Sequence, residues 1–414
     1  MAKTNLIAGL DIGSGKITAA AVLYDRETNS LRVAAVASVS CKGLRSGMVS
    51  GIRETSVAVS GVIDRIEEKT SSEINGLYIA LRGENIETFT NHGIYNIPRL
   101  NKEITSDDIE QAVSNARSIH IKGDHEIINY TTQGFAVDRQ RGIINPEGMS
   151  GSLLEVDVNI TTGLSSSYNN LKKAITQPGF AVDEAFHGIM CLADNVLSNE
   201  EKDIGAMLID MGGETTSVGI YADGALRFSK DFPLGCDLIT RDIAYALHTS
   251  RINAEEIKKK YGVAFPSVLG EDLDIAVTSL DGRSTNNIRK SFLLDIIRPR
   301  TQEIFEQIKN FIDKSGFANM AAVCVLTGGG SIMSGITEQC AQALGFNEAR
   351  RGGISRDAIN GDEEFFDPSY TTALALAIYA AKRDLIGEGS GGISAGSGRF
   401  ASKIKNIIKD LFSS

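Results

Sequence analysis

The sequence predicts an α/β protein with two similar lobes facing each other across a cleft. Three stretches carry that prediction. "LIAGLDIGSGK" (6–16) and "GAMLIDMGGETTSVGIY" (205–221) share one layout: an apolar strand ends in an aspartate, a Gly-rich turn follows, and a β-prone strand leaves. They stand about half a chain apart, as two related lobes would place them. "VCVLTGGGSIMSGI" (323–336) runs a buried strand into Gly328, Gly329 and Gly330, after which Ser331 is expected to open a helix. A helix N-terminus fronted by small residues suits close backbone contact with a nucleotide.

The first stretch ends in GSGK but is not a P-loop. That motif needs an earlier Gly where Leu10 stands, a Ser or Thr where Ile17 stands, and a following helix. "ITAAAVLY" is β-prone instead, so the spacing predicts a strand over 6–10, a turn over 11–16 and a strand over 17–24. In such a turn Gly13, Ser14, Gly15 and Lys16 are candidates to hold phosphate, and Asp11 to hold a hydrated Mg²⁺. An ordinary Gly-rich hairpin reads the same way when it stands alone. The second stretch repeats the device with Asp210, Gly212, Gly213, Thr215 and Thr216.

Bulk properties narrow the class. A chain of 414 residues predicts about two to four domains. A net charge of −10 speaks against wholesale nucleic-acid binding. No apolar run reaches the ~18–20 residues of a membrane span, and Asp11 interrupts the N-terminal apolar stretch before it makes a signal-peptide core. Cys41, Cys191, Cys236, Cys324 and Cys340 are scattered, with no CxxC pair, and read as reduced core thiols of a cytoplasmic protein.

Between and after the glycine turns lie four further signals. After the strand "GLYIALRG" (76–83), "TSDDIEQAVSNARSI" starts like a capped helix, and "EIINYTTQGFAVD" and "LLEVDVNITTG" read as strands, so residues 84–163 form an inserted α+β module. "FHGIMCLADNVLS" (186–198) and "DPSYTTALALAIYAA" (367–381) are helices whose small residues permit close approach. Residues 387–398, "GEGSGGISAGSG", form a flexible tether that spans roughly 20 Å on average. Beyond it, Phe400, Ile404, Ile407, Ile408 and Leu411 fall on one helix face, flanked by Phe412, with Arg399, Lys403, Lys405 and Lys409 around the remainder. A basic amphipathic helix behind a tether predicts a membrane-surface anchor, with docking on a partner as the other option.

The two phosphate hairpins and the later glycine loop, in this order, resemble the actin/Hsp70/sugar-kinase superfamily. The "NPEGMSG" turn with its flanks, the segment "GCDLITRDIAYALHTSRINAEEIKKKYG" (235–262) and the tethered tail resemble the bacterial cell-division family FtsA, over residues 5–412. The resemblance implies an actin-like two-lobed ATPase fold with an FtsA-type inserted subdomain. Its first lobe core would comprise 1–83, 164–193 and 360–384, and its inserted subdomain 84–163. The second lobe would comprise 194–226 with 303–359 plus a small subdomain at 227–302, followed by a linker at 385–398 and a membrane helix at 399–414. It further implies ATP in the cleft, Mg²⁺ held through water by Asp11 and Asp210, and adenosine held by Gly328–Gly330 and Ser331 with Glu255 and Lys258. Without the family, Glu255 and Lys258 read as a charged helix face. Asp194 matches the region where actin orients water, or is a solvent-facing helix carboxylate. Family members often carry Gly where Glu214 stands and Asp where Ser217 stands, which bears on hydrolysis, expected to be weak or absent.

Implied too are partners and place: self-assembly through the inserted subdomain, an anionic membrane surface on the cytoplasmic side of the cell membrane, the division septum, other division proteins, and the acidic tail of the tubulin-like FtsZ. "NNIRKSFLLDIIRPRTQEIFEQIKNFI" (286–312) resembles the helices that grip that tail, which would assign Arg289, Lys290, Arg298 and above all Arg300 to it. The competing readings are a PilM-like scaffold of a pilus or secretion machine and, from the same superfamily, a small-molecule kinase.

Overall fold

The computed structural model describes residues 5–25, 30–121, 123–356 and 359–389. The expected amphipathic helix, including Phe400, Lys403, Ile404, Ile407, Ile408, Lys409, Leu411 and Phe412, lies outside the described residues.

The first lobe opens with β1 (Asn5–Ile12), β2 (Lys16–Asp25) and β3 (Ser30–Ser40), an antiparallel meander. A two-residue hairpin, β4 (Leu44–Arg45) and β5 (Met48–Val49), leads into α1 (Ile52–Thr70) and then β6 (Gly76–Leu81), which returns parallel to β1. The inserted module follows: β7 (Glu87–Asn96), α2 (Ser106–Arg117), β8 (His125–Val137), β9 (Gln140–Ile143) and β10 (Leu153–Leu164). Its sheet runs β7-β10-β8-β9, and α2 starts at a capping box between Thr105 and Asp108. Next, α3 (Ser165–Thr176) and β11 (Ala181–His187) complete the first sheet, whose order is β11-β6-β1-β2-β3.

The helix α4 (Gly188–Val196) and the short α5 (Asn199–Ile204) cross to the second lobe. There β12 (Ala206–Met211), β13 (Thr216–Ala222) and β14 (Ala225–Phe232) repeat the antiparallel meander. The strand β14 extends this sheet past residue 226. After it come α6 (Cys236–Ala246), α7 (Arg251–Tyr261), the hairpin β15 (Asp274–Thr278) and β16 (Thr285–Arg289), and α8 (Lys290–Ser315). Then β17 (Val323–Thr327), α9 (Ile336–Leu344) and β18 (Ala349–Arg351) finish a sheet ordered β14-β13-β12-β17-β18. The two lobe sheets therefore share one plan: a three-strand meander whose first strand is joined on its other side by two parallel strands.

The last described element, α10 (Thr371–Gly389), returns to the first lobe. Ala373, Leu374, Ala377 and Ile378 pack on Ala20, Val22, Val33 and Val36, while Ala375 joins the cluster of Ile189, Leu208 and Val325 at the seam of the lobes. Close approach is built in, because a Cβ at Gly9 would lie 2.7 Å from the carbonyl of Ala373. This helix runs through Gly389, so the first residues of the expected tether are helical.

Two local expectations are corrected. No α-helix opens at Ser331: Gly329–Ile332 is a 3₁₀ turn, and α9 starts only after Gly335, whose φ of +76° breaks the path. Residues 286–312 are a strand end and one long helix rather than several helices. It continues through Pro299, next to which the Thr301 hydroxyl donates to the carbonyls of Ile297 and Arg298.

Candidate functional site

Equivalent edges of the two sheets bring the glycine turns together. Each hairpin turn closes on itself, Gly13 N–H to the Lys16 carbonyl at 3.1 Å and Gly212 N–H to the Thr215 carbonyl at 2.9 Å. Gly15, Gly213 and Gly329 are each exposed, with open space where a Cβ would stand. Gly328, at φ +82°, and Gly330 are tightly enclosed, the latter with a Cβ position 2.6 Å from Cys236 Sγ. The third loop is therefore pressed onto Met211 and the start of α6. The three turns meet around Asp11, Arg82 and Asp210, and each offers one unobstructed backbone edge, at Gly15, Gly213 and Gly329, which suits close contact with an anionic ligand.

At its centre sits a residue the sequence reading passed over. Arg82, at the end of β6, places Nη2 3.0 Å from Asp11 Oδ1 and 3.0 Å from Asp210 Oδ2. One guanidinium thus joins an aspartate from each lobe. Its side chain is 7% exposed and its Nε has no hydrogen-bond partner. Burial works against its charge, but Asp11, Asp210 and Asp231 outweigh that and hold Arg82 above its usual range. Burial also raises Asp11, with the nearby Asp210 adding to the push against the relief given by Arg82. Thr372 Oγ1 donates to Asp210 at 3.3 Å, tying α10 to the same cluster. The only signal for Arg82 in sequence is one charge at the end of an otherwise apolar strand, "YIALRG".

The fit to Mg²⁺ is poor as arranged. Both carboxylates face one nitrogen of Arg82, as an ion pair at Asp11 Oδ1, which has no hydrogen-bond partner, and an ion that keeps several waters would have to displace that guanidinium. Among the described residues no group of three or more His, Cys, Asp or Glu side chains gathers as a metal site.

The other expected residues divide. Lys16 is half-buried, donates to the Ser369 carbonyl at 3.3 Å and is lowered by burial. Ser14 Oγ accepts from Gly47 N–H at 3.0 Å. Thr215 and Thr216 are buried, and the Thr216 hydroxyl is committed to the Leu234 carbonyl at 2.7 Å. Ser331 likewise bonds within its own loop, to the Gly328 carbonyl at 2.7 Å. Lys258 donates to the Cys236 carbonyl at 3.2 Å and pairs with Glu255 at 2.6 Å, so both stand beside the third loop. Burial opposes ionisation of Glu255, but bonds from Lys258 and Thr240 hold it below the ordinary range. Asp194 is not part of the cluster: it is 46% exposed and pairs with Lys202 at 2.7 Å. Glu214 reaches across the cleft, accepting from Ser46 N–H at 2.6 Å.

A second, fully buried network closes the lobes behind the cleft. Asp231 accepts from Gly83 N–H at 2.6 Å and lies 3.1 Å from His187 Nε2, whose Nδ1 meets Thr88 Oγ1 at 3.0 Å. Burial alone would raise Asp231, yet His187, Ser217 and the Gly83 amide hold it below its ordinary value. Thr90 donates to the Leu226 carbonyl at 2.8 Å, so β7 of the inserted module is bonded directly to β14.

On α8, Arg300 is gripped by Asp242 at 2.5 and 3.0 Å and by Glu303 at 2.5 Å. Arg289 donates to the Asp272 carbonyl and Lys290 to that of Leu269. Arg298 is half-buried, and its Nε has no hydrogen-bond partner.

Two like-ordered lobes, three glycine turns on one cleft and a module inserted after β6 define an actin-like two-lobed protein. Solved structures agree on the fold: the PilM–PilN type IV pilus biogenesis complex at TM-score 0.62, 18% identity and coverage of 90% of this chain and 98% of that one. MreB5 of Spiroplasma citri bound to ADP aligns at TM-score 0.54 and 12% identity, over 93% and 99%. Residues 207–375 match the model of cell division protein FtsA, and residues 83–162 that of the SHS2 domain inserted in FTSA. The cell division protein FtsA of Escherichia coli K12 is 31% identical over 394 residues, 92% of each chain, and that of Borreliella burgdorferi 34% over 378 residues, 91% of each. The chain belongs to the FtsA family of cell-division proteins.

Proposed function

We propose that this chain binds ATP in the cleft, assembles into filaments on the cytoplasmic face of the cell membrane, and tethers FtsZ filaments there at the septum, where later division proteins join. The observation that carries the reading is the convergence of three glycine turns from both lobes on Asp11, Arg82 and Asp210, in a chain of this family. Gly13, Ser14, Gly15 and Lys16 would face the phosphates from the first lobe, and Gly212, Gly213 and Thr215 from the second. Thr216 and Ser331 would act by holding their turns in shape. Gly328–Gly330, Glu255 and Lys258 would take the adenosine. Bound ATP would supply the free energy that couples lobe closure to assembly. A Mg²⁺ on Asp11 and Asp210 would have to share that space with Arg82. Asp194 is paired to Lys202 and Glu214 to the Ser46 amide, so neither is free to aim water, which supports slow or absent hydrolysis.

Among the described residues no helix is long and apolar enough to cross a membrane. The basic tail at 399–414 would make the attachment, as its sequence pattern predicts. One such helix binds marginally, and a filament multiplies it by avidity. An acidic peptide would compete with Asp242 and Glu303 for Arg300, beside Arg298, Lys290 and Arg289.

The test is co-sedimentation with anionic liposomes of the full chain and of a chain ending at Gly398, with and without ATP. Pelleting of the full chain alone, stronger with ATP, supports the tether. Both chains staying soluble would sink it and favour the second reading, a PilM-like scaffold, which the fold likeness to PilM–PilN motivates.

A further inference from the structure

The centre of the site holds one buried acid, Asp210, one half-buried acid, Asp11, and one buried base, Arg82. A hydrated divalent ion would satisfy both acids, but Nη2 of Arg82 already stands 3.0 Å from the facing oxygen of each, charge-paired with Asp11 Oδ1 although that atom has no hydrogen-bond partner. A guanidinium stays charged at every accessible pH and offers five donors in a fixed fork. Only part of that fork is used on the carboxylates. Its Nε is buried without a partner, and Nη1 lies 3.6 Å from where a Cβ would stand on Gly212, at the second glycine turn. The unused side of Arg82 is thus turned to the turn assigned to phosphate. Arg82 is also fixed from behind, because the next residue, Gly83, is held at its N–H by the buried Asp231. Swinging Arg82 away would leave the buried Asp210 and the half-buried Asp11 uncompensated.

Building on the nucleotide reading above, we propose that Arg82 takes the place assigned to Mg²⁺, bridging both aspartates to the nucleotide phosphates, so that this chain binds nucleotide with little dependence on a divalent ion. Removing metal normally takes two positive charges from between phosphate and carboxylate. Here Arg82 leaves one permanently in place, and its donors form charge-assisted bonds to phosphate oxygen. Lys16 adds a second cation on the first-lobe side.

The experiment is calorimetric titration of the full chain with ADP and a non-hydrolysable ATP analogue, in excess Mg²⁺ and in chelator. It is run on the wild type, Arg82→Ser and Arg82→Lys. Wild-type affinities in the two media are expected to agree within about fivefold. Arg82→Ser should bind at least about tenfold more weakly in chelator and recover with Mg²⁺, because the emptied space between the carboxylates then accepts the ion. Arg82→Lys should fall between them. A wild-type loss above about fivefold on chelation overturns the proposal while leaving the nucleotide reading intact. Absence of binding in both media removes the nucleotide reading and this inference with it. The wild-type ratio decides the matter even if Arg82→Ser fails to fold.

Discussion

The two glycine turns share a plan and differ in depth. In the first lobe Gly15 is exposed, Asp11 keeps 15% exposure, and the turn is held from outside by Gly47 and Ser369. In the second, Thr215 and Thr216 are buried, Asp210 is 3% exposed, and the turn is fastened to its own lobe at Leu234 and Cys236. One device thus serves twice, with an exposed tip in both lobes, Gly15 and Gly213, and a flank that is half-buried at Lys16 in the first and buried at Thr215 in the second. The reason is local. The meander of the second lobe runs straight into α6, whose first amide bonds to the Gly212 carbonyl at 3.0 Å, whereas the first lobe leaves its meander through a small surface hairpin.

Substitutions probe that difference. The largest effect is expected at Asp231, on the deep side. Asp231→Ala leaves the Gly83 amide and His187 buried without their acceptor, a cost of about 3 kcal/mol, readable in urea denaturation. It should also change the response to acid. Asp231 is depressed in the fold, so its contribution is fully present above the ordinary value of 3.8 and is lost as pH falls through the lowered folded value. The variant should lack that component, and an acid-unfolding curve as steep as the wild type's would count against the network. Next comes a matched pair. Thr216→Val strips a buried carbonyl of its donor and should cost about 1–2 kcal/mol, while Ser14→Ala, at the half-buried turn, should cost about 0.5 kcal/mol or less. Equal costs would erase the contrast in depth. The smallest effect concerns the paired acids. Burial raises Asp11 while its charge helps hold the buried Arg82, so the two contributions oppose each other: Asp11→Asn should change the stability of the nucleotide-free chain by less than about 1 kcal/mol, and Asp210→Asn, which also disturbs the bond from Thr372, should cost more. Thermal melting of both variants compares them directly.

Much of this was legible. Alternating and continuous apolar runs ending in Asp-x-Gly gave both hairpins, and Thr105 with Asp108 announced α2. What sequence hid were contacts between distant segments. Arg82 becomes central only when β6 lies beside β1 and the second lobe closes over it. Likewise His187 and Asp231 look like ordinary polar residues of the mixed strands "AVDEAFH" and "ALRFSKDF" until the lobes meet. Ser331 misled because a Gly-rich entry to a helix and a 3₁₀ turn pressed against Met211 and Cys236 share the same local composition. Glu214 looked like an intruder beside phosphate, and its partner, the Ser46 amide, lies 168 positions away.

The helix α10 has a consequence for biogenesis. Ala373–Ala381 is buried on every side, and its Ala and Leu side chains cover β1 and β2, strands made well before the second lobe. A sheet begun before the second lobe is therefore roofed only after it, and its apolar face stays open while the whole second lobe is synthesised. Domains generally mature in order of synthesis. Here the first lobe must wait for residue 371 and beyond, so a nascent chain stalled before that point would carry a finished second lobe beside a first lobe still in need of a chaperone.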